Sequence, residues 1–289
     1  MAGDLQGRVC VLTGATQGIG RAAAESLLTT GVELVLVSRD LTRLQTLASD
    51  LRLRAPEAKV GVVAGDLSRM LEVRRVGAEI RARHHKVDLL LNNAGAVFAR
   101  REVTVEGLEK TFALNHLAYF LLTQELLPVL REAPAARVVN VASDAHRPAR
   151  LDLDDLQYER TPYSAFGAYG RTKLMNILFT REQARRVEGS PITVNAMHPG
   201  FVRSGFGQNN PGFFGGIIAL GQVLFARTPQ RGARTLVWLA TSPEVAGVSG
   251  KYFVDEHEAT PSAAARDDAT AHRLWEESER LAGLRAAAA

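Results

Sequence analysis

The feature that most constrains this chain is a repeat. Short, continuously apolar runs alternate with stretches of helical periodicity along most of its length. RVCVLTG (8–14) precedes GRAAAESLLTTG (20–31), ELVLVS (33–38) precedes LTRLQTLASDLRLR (41–54), and KVGVVAG (59–65) precedes SRMLEVRRVGAEIRAR (68–83). VDLLLNN (87–93) leads into a helical pattern from Glu106 to Leu130, and ARVVNVAS (136–143) into one from Phe166 to Val187. PITVNAMH (191–198) and GKYFVD (250–255) supply a sixth and a seventh run. Runs that are apolar on both faces are strands covered on both sides, as in parallel sheets joined by helical crossovers. The repeat therefore predicts an α/β fold: a doubly wound parallel sheet of about seven strands with helices on both faces. No linker or low-complexity tract divides residues 1–289, which read as a single domain. It carries a segment at about 203–227 and a C-terminal tail at about 256–289.

Composition narrows the function classes. With 46% hydrophobic and 23% charged residues, the chain can build a globular core. The net charge of +4 comes mostly from arginine, since lysine occurs only at positions 59, 86, 110, 173 and 251. These bases are interleaved with acids and form no block, so a nucleic-acid partner is not expected. The single cysteine, Cys10, excludes an intrachain disulfide or a cysteine zinc cluster and fits a reducing, cytoplasmic setting. MAGDLQGR has no signal-peptide pattern. PGFFGGIIALGQVLFA (211–226) falls short of the ~20 residues a spanning helix needs, so no transmembrane segment is expected. The histidines form no ligand set, and no metal is expected.

TGATQGIG (13–20) follows the first strand and opens the first helix. Gly14 can make the tight turn, Gly18 lets backbone N–H groups approach a pyrophosphate at the helix N-terminus, and Gly20 allows close helix–strand packing. The spacing is G-x-x-x-G-x-G rather than G-x-G-x-x-G. A cofactor's 2′ position is read after the second strand. There VLVSRD places Ser38 where an NAD site wants a carboxylate and adds Arg39, whose guanidinium suits a phosphate. NADP(H) is expected rather than NAD(H). Asp40 reads as a helix cap. In AYGRTK (168–173), Tyr169 and Lys173 lie one helical turn apart. An ammonium beside a phenol lowers a pKa ordinarily about 10; two surface residues on an ordinary helix would show the same spacing.

TGATQGIG, NNAG (92–95), Asn115, Ser143 and YGRTK (169–173), in this order and each placed after a strand or on the helix that follows, resemble the short-chain dehydrogenase/reductase family from residue 8 to about 255. LNHLAYFLLT (114–123), HPGFVRS (198–204) and GKYFVDE (250–256) resemble its retinol dehydrogenase-like branch more narrowly. The resemblance implies a Rossmann-type fold and a catalytic set of Asn115, Ser143, Tyr169 and Lys173. Tyr169 would be general acid in carbonyl reduction and base in alcohol oxidation. Lys173 would hold the nicotinamide ribose, and Ser143 would hydrogen-bond the substrate oxygen. Asn115 would interrupt its helix and hold a water, or be a polar residue on a helix face. The cofactor contacts it implies are Gly14, Thr16, Gln17, Gly18, Ile19, Gly20, Ser38, Arg39, Asp66, Leu67, Asn93, Ala94, Gly95, Tyr169, Lys173, Pro199, Gly200, Val202 and Ser204. Within these, Asp66 would accept from the adenine or cap the next helix, a role for which Ser68 competes. Asn92 is implied to stabilise the backbone on the adenosine side. His146 could line the substrate mouth or be a plain loop residue.

Phe201, Phe206, Phe213, Phe214 and Phe225 among glycines read as an apolar lid over 203–227. Such a lid predicts a hydrophobic carbonyl or alcohol as substrate: retinal-, lipid-aldehyde-, steroid- or polyketide-like. Unlike many retinol dehydrogenases, the chain shows no N-terminal anchor, which favours a soluble enzyme. A homodimer or homotetramer is compatible with the family. Two rivals keep the fold. A catalytically silent NADP-binding regulator would not need the intact set, and an alkene reductase resembling protochlorophyllide reductase would want a cysteine near the pocket, which Cys10 in the first strand does not supply.

Overall fold

The computed structural model describes residues 5–200, 202 and 227–284. Eight strands form one sheet in the order β3-β2-β1-β4-β5-β6-β7-β8: β1 (Val9–Thr13), β2 (Glu33–Ser38), β3 (Val60–Ala64), β4 (Leu89–Asn92), β5 (Ala136–Val141), β6 (Ile192–His198), β7 (Tyr252–Val254) and β8 (His257–Glu258). β1 through β7 are parallel, and β8 is an antiparallel edge that the sequence pattern is too short to signal. The helices are α1 (Gly18–Leu27), α2 (Leu41–Arg54), α3 (Met70–Arg83), α4 (Ala118–Arg131), α5 (Ala165–Arg186), α6 (Pro229–Thr241) and α7 (Asp268–Leu281).

Strand alternation builds two cores. On β1, Val9 and Val11 face one cluster with α3, α4, α5 and α7, while Cys10 and Leu12 face the other with α1, α2 and α6. Burial pushes the Cys10 thiol pKa up, so it remains an inert small hydrophobe. After β3 the chain returns to place β4 beside β1, with Leu12 opposite Leu91. The order of winding reverses there, and the crevice outside the carboxyl ends of β1 and β4 is where such sheets bind ligands.

Two stretches depart from the sequence pattern. The helical run expected from Glu106 is one turn, Lys110–Phe112, a π-helical segment, Ala113–Leu117, and only then α4. Glu109 caps the first turn, accepting from Thr111 and Phe112 N–H at 2.8 and 2.7 Å. The stretch expected to be a tail holds α7, capped by Asp267 and packed through Leu274 and Trp275. Trp275 stacks on Phe179, meets Phe120 edge-on and lies under Arg186. Its amphipathic pattern is real but follows a polar approach that gives no strand signal. Among the described residues, no helix is long and apolar enough to cross a membrane.

Trp275→Ala should destabilise the fold by about 3–5 kcal/mol through the cavity it leaves. Urea unfolding checks this, and a loss below about 1 kcal/mol would mean that α7 is not part of the cooperative unit.

Candidate functional site

The crevice is built around Thr13, the buried last residue of β1. Its hydroxyl accepts from Asn93 N at 2.9 Å and Ala94 N at 3.0 Å, while Asn93 Nδ2 donates to the Thr13 and Gly14 carbonyls at 2.9 and 3.2 Å. The first loop is thus tied to the NNAG loop. Gly14 has φ +68°, and a Cβ there would lie 2.7 Å from Ala94 Cα; a Cβ on Gly20 would collide with the Gly14 carbonyl. Gln17 is the N-cap of α1 but caps nothing with its side chain, and the first turn carries no acid. The amides around Gly18 and Ile19 therefore remain available to an anion. Thr16 Oγ1 sits 3.4 Å from Ser38 Oγ, joining this loop to the end of β2. Arg39 is exposed there, and among the described residues it has no hydrogen bond or ion pair. Asp40 caps α2, accepting from Arg43 N at 3.0 Å. Those amides and the free guanidinium fit a phosphorylated dinucleotide.

Near β3 one of the two alternatives for Asp66 falls away, and near β4 Asn92 departs from expectation. Asp66 neither caps α3 nor yields that role to Ser68, since the N-cap is Arg69 with no side-chain bond. Asp66 instead folds its own loop, accepting from Ser68 N and Oγ at 3.0 and 2.8 Å, beside the buried Leu67. Asn92 points into the core, donating to Thr123 Oγ1 and Asn140 Oδ1 at 3.1 and 2.9 Å. The backbone-stabilising role on the loop falls to Asn93.

Tyr169 and Lys173 do share a face of α5, which Ser164 caps through Gly167 N–H at 3.3 Å. The Ser143 side chain lies near enough to the Tyr169 hydroxyl to favour its ionised form. Gly170 makes that approach possible, because a Cβ there would lie 2.7 Å from the Ala145 carbonyl in the loop after Ser143. Lys173 Nζ donates to the Val141 carbonyl at 2.8 Å and lies 5.4 and 5.5 Å from the ring centroids of Tyr169 and Tyr119. Tyr119 was not singled out in the sequence; it sits one turn after Asn115, and that spacing was the available signal. Asn115 lies fully buried in the π-helical segment, a distortion that often marks functional positions. Its amide grips Ala96 from both sides, donating to its carbonyl at 2.8 Å and accepting from its N–H at 2.9 Å. A Cβ on Gly95 would lie 3.2 Å from Asn115 Oδ1 and 3.8 Å from Lys173 Nζ.

Electrostatics here reverse one expectation. With protein groups alone acting, burial pushes Tyr169 up to about 12, offset only in part by the Ser143 hydrogen bond. Burial likewise pulls Lys173 down to about 7. Among the described residues no carboxylate pairs with that ammonium, so desolvation outweighs the mutual charge effect that the spacing suggested.

The wall opposite comes from the end of β6. Pro199 leads to Gly200 at φ +80°, where a Cβ would lie 2.8 Å from Arg227 Cδ. Arg227 forms a bidentate pair with Asp255. Val202 is buried, bridges to Arg227 and packs over Gly232, which in turn lies near Ile19. Ser204, Phe201 and the proposed lid lie outside the described residues. Among the described residues no cluster of His, Cys, Asp or Glu could hold a metal.

A family model described as short chain dehydrogenase matches residues 8–211. The chain is 37% identical over 287 residues to Retinol dehydrogenase 13 of Homo sapiens, covering 98% of this chain and 86% of that protein. Among solved structures it is similar to a protein from Mycobacterium Paratuberculosis, with a TM-score of 0.79 and 30% identity over 98% of this chain and 96% of that one. It is also similar to the Pseudomonas aeruginosa RhlG/NADP active-site complex, with a TM-score of 0.68 and 27% identity over 86% and 95%.

Lys173 carries a pH signature. The folded chain holds it near 7 against an ordinary 10.5, so the unfolded chain binds the extra proton between those values. Its burial penalty is complete below the folded value and is relieved as pH rises, by up to about 1.4 kcal/mol per pH unit. Lys173→Met should therefore exceed the native protein in stability most at neutral pH, with the gap narrowing as pH climbs towards about 9. A gap that stays constant across urea titrations at several pH values would show that burial does not control this amine.

Proposed function

The chain belongs to the short chain dehydrogenase family, in its retinol dehydrogenase-like branch, and on that premise we propose that it is an NADP(H)-dependent oxidoreductase acting on a hydrophobic carbonyl or alcohol. The observation that carries this reading is the convergence of Ser143, Tyr169 and Lys173 at the carboxyl end of β5, beside Gly95 and the buried Asn115. Bound NADPH would supply the hydride. The residues that would hold it are Gly14, Thr16, Gln17, Gly18, Ile19 and Gly20 at the pyrophosphate, Ser38 and Arg39 at the 2′-phosphate, and Asp66, Leu67, Asn93, Ala94 and Gly95 along the adenosine side. Tyr169, Lys173, Pro199, Gly200, Val202 and Ser204 would flank the nicotinamide.

Tyr169, held protonated by its burial, gives its proton to the substrate oxygen as charge develops there. Ser143 steadies the same oxygen by hydrogen bonding. Lys173 orients Tyr169 and the ribose, and its amine near neutrality can pass a proton onward. Asn115 fixes the Ala96 backbone beside that path. The free Arg39 guanidinium and the similarity to a structure whose title names NADP support the phosphorylated cofactor. The name of the retinol dehydrogenase relative and the phenylalanine-rich stretch 201–225 support an apolar substrate, and the buried lone Cys10 supports a cytoplasmic setting.

Hydride transfer to a panel of apolar aldehydes, ketones and alcohols, followed by nicotinamide absorbance, tests this directly. Tyr169→Phe should lower kcat by roughly 10²–10⁴-fold while NADPH fluorescence shows unchanged binding. Undiminished function in that variant would point to a silent regulator. Arg39→Ala should cut the preference for NADPH over NADH by about tenfold or more, the value of a charge-assisted contact; a native preference for NADH would refute the cofactor assignment.

A further inference from the structure

His146 closes the short 3₁₀ turn Asp144–His146 that Ser143 begins, and its ring is fully buried rather than lining a substrate mouth. The backbone N–H of Ser262 donates to His146 Nε2 at 3.1 Å. A backbone amide can only donate, so Nε2 bears no proton and the ring proton of the neutral imidazole is on Nδ1. That nitrogen donates to the Ser143 carbonyl at 2.6 Å, and the His146 backbone N–H reaches the same oxygen at 3.1 Å. Burial holds the imidazole below its ordinary pKa, which favours this neutral form. Tyr252 packs edge-on against the ring, centroids 5.3 Å apart, and donates its hydroxyl to Asp144 at 3.1 Å. Asp144 N–H in turn donates to His198 Nδ1 at 3.3 Å. The Ser143 hydroxyl accepts from Ala145 N at 3.2 Å, so its orientation follows the turn that His146 closes.

We propose that His146 is a positioning residue for the reaction: it clamps the Ser143 backbone to the segment at Ser262 and thereby fixes the serine hydroxyl beside Tyr169. This deepens the oxidoreductase reading and rests on it. It also gives the stretch between β8 and α7 a role in the active site, although that stretch lies far from Ser143 in sequence.

The test is a set of single and double substitutions in the full chain. His146→Gln keeps an acceptor near the Nε2 position and loses the donor to Ser143; His146→Asn keeps a donor near Nδ1. His146→Gln should lower kcat by roughly 10- to 100-fold, the cost of a displaced catalytic group, with NADPH affinity within about threefold of native. His146→Asn, which keeps the donor to Ser143 but not the acceptor for Ser262, should restore only part of the loss, and full recovery would show that the Ser262 end of the clamp is dispensable and overturn the proposal. In a Ser143→Ala background His146→Gln should cost less than about threefold, since no hydroxyl remains to misplace. An equal loss in both backgrounds would mark a merely structural histidine and overturn the proposal. Absence of hydride transfer in the unsubstituted protein would refute the functional reading instead. Nitrogen-15 shifts of the His146 ring then decide the clamp separately, and an Nε2–H tautomer or an imidazolium would overturn it.

Discussion

A buried ammonium with no carboxylate partner among the described residues sets the terms for the rest of this site. Lys173 is held by the Val141 carbonyl and by two aromatic faces, and its desolvation is large enough to bring its pKa near neutrality. An isolated buried charge is costly. The fold tolerates this one because the amine can shed its proton, a property that also suits proton transfer. The same burial keeps the neighbouring phenol protonated. The two groups are thus set by one cause, low local polarity, acting in opposite directions on a base and an acid.

Beneath that amine the core is polar in an ordered way. Asn92 donates to Asn140, Asn140 donates to Thr180, and Thr180 donates to the Asn176 carbonyl at 2.7 Å. Asn176 then shares the Val141 carbonyl with Lys173 at 3.4 Å. The chain of bonds ties strand to strand and strand to helix, while the buried Asn92 Oδ1 and Asn176 Oδ1 accept none. Here these bonds lock β4, β5 and α5 in the relation that the serine, tyrosine and lysine require.

Much of this was legible in the residues, and the exceptions have physical causes. Strand runs and helix periodicity report burial directly, so the sheet and most helices could be read. The glycine loop was legible because only glycine permits Gly14 its positive φ and Gly20 its contact with backbone. The division of labour between Asn92 and Asn93 was not, because adjacent strand-end residues point to opposite sides and the pattern does not say which side is core. Sequence leaves His146 between a place at the substrate mouth and a plain loop position, since its partners Ser262 and Tyr252 are more than a hundred positions away. The upward pull on Tyr169 from protein groups alone is hidden for a related reason: spacing reveals a neighbour's charge but not the depth of burial around both groups.

By itself, the sequence determined the alternation of strand and helix, the glycine turn, the family, and the residue types able to move a proton. Those properties are local, written in periodicity and in side-chain chemistry. Tertiary structure alone decided that β4 returns beside β1, that α7 docks its tryptophan against α4 and α5, and that burial rather than charge governs Tyr169 and Lys173. Each of these depends on which distant surfaces exclude water together, and solvent exclusion is a property of the packed chain rather than of any segment of it.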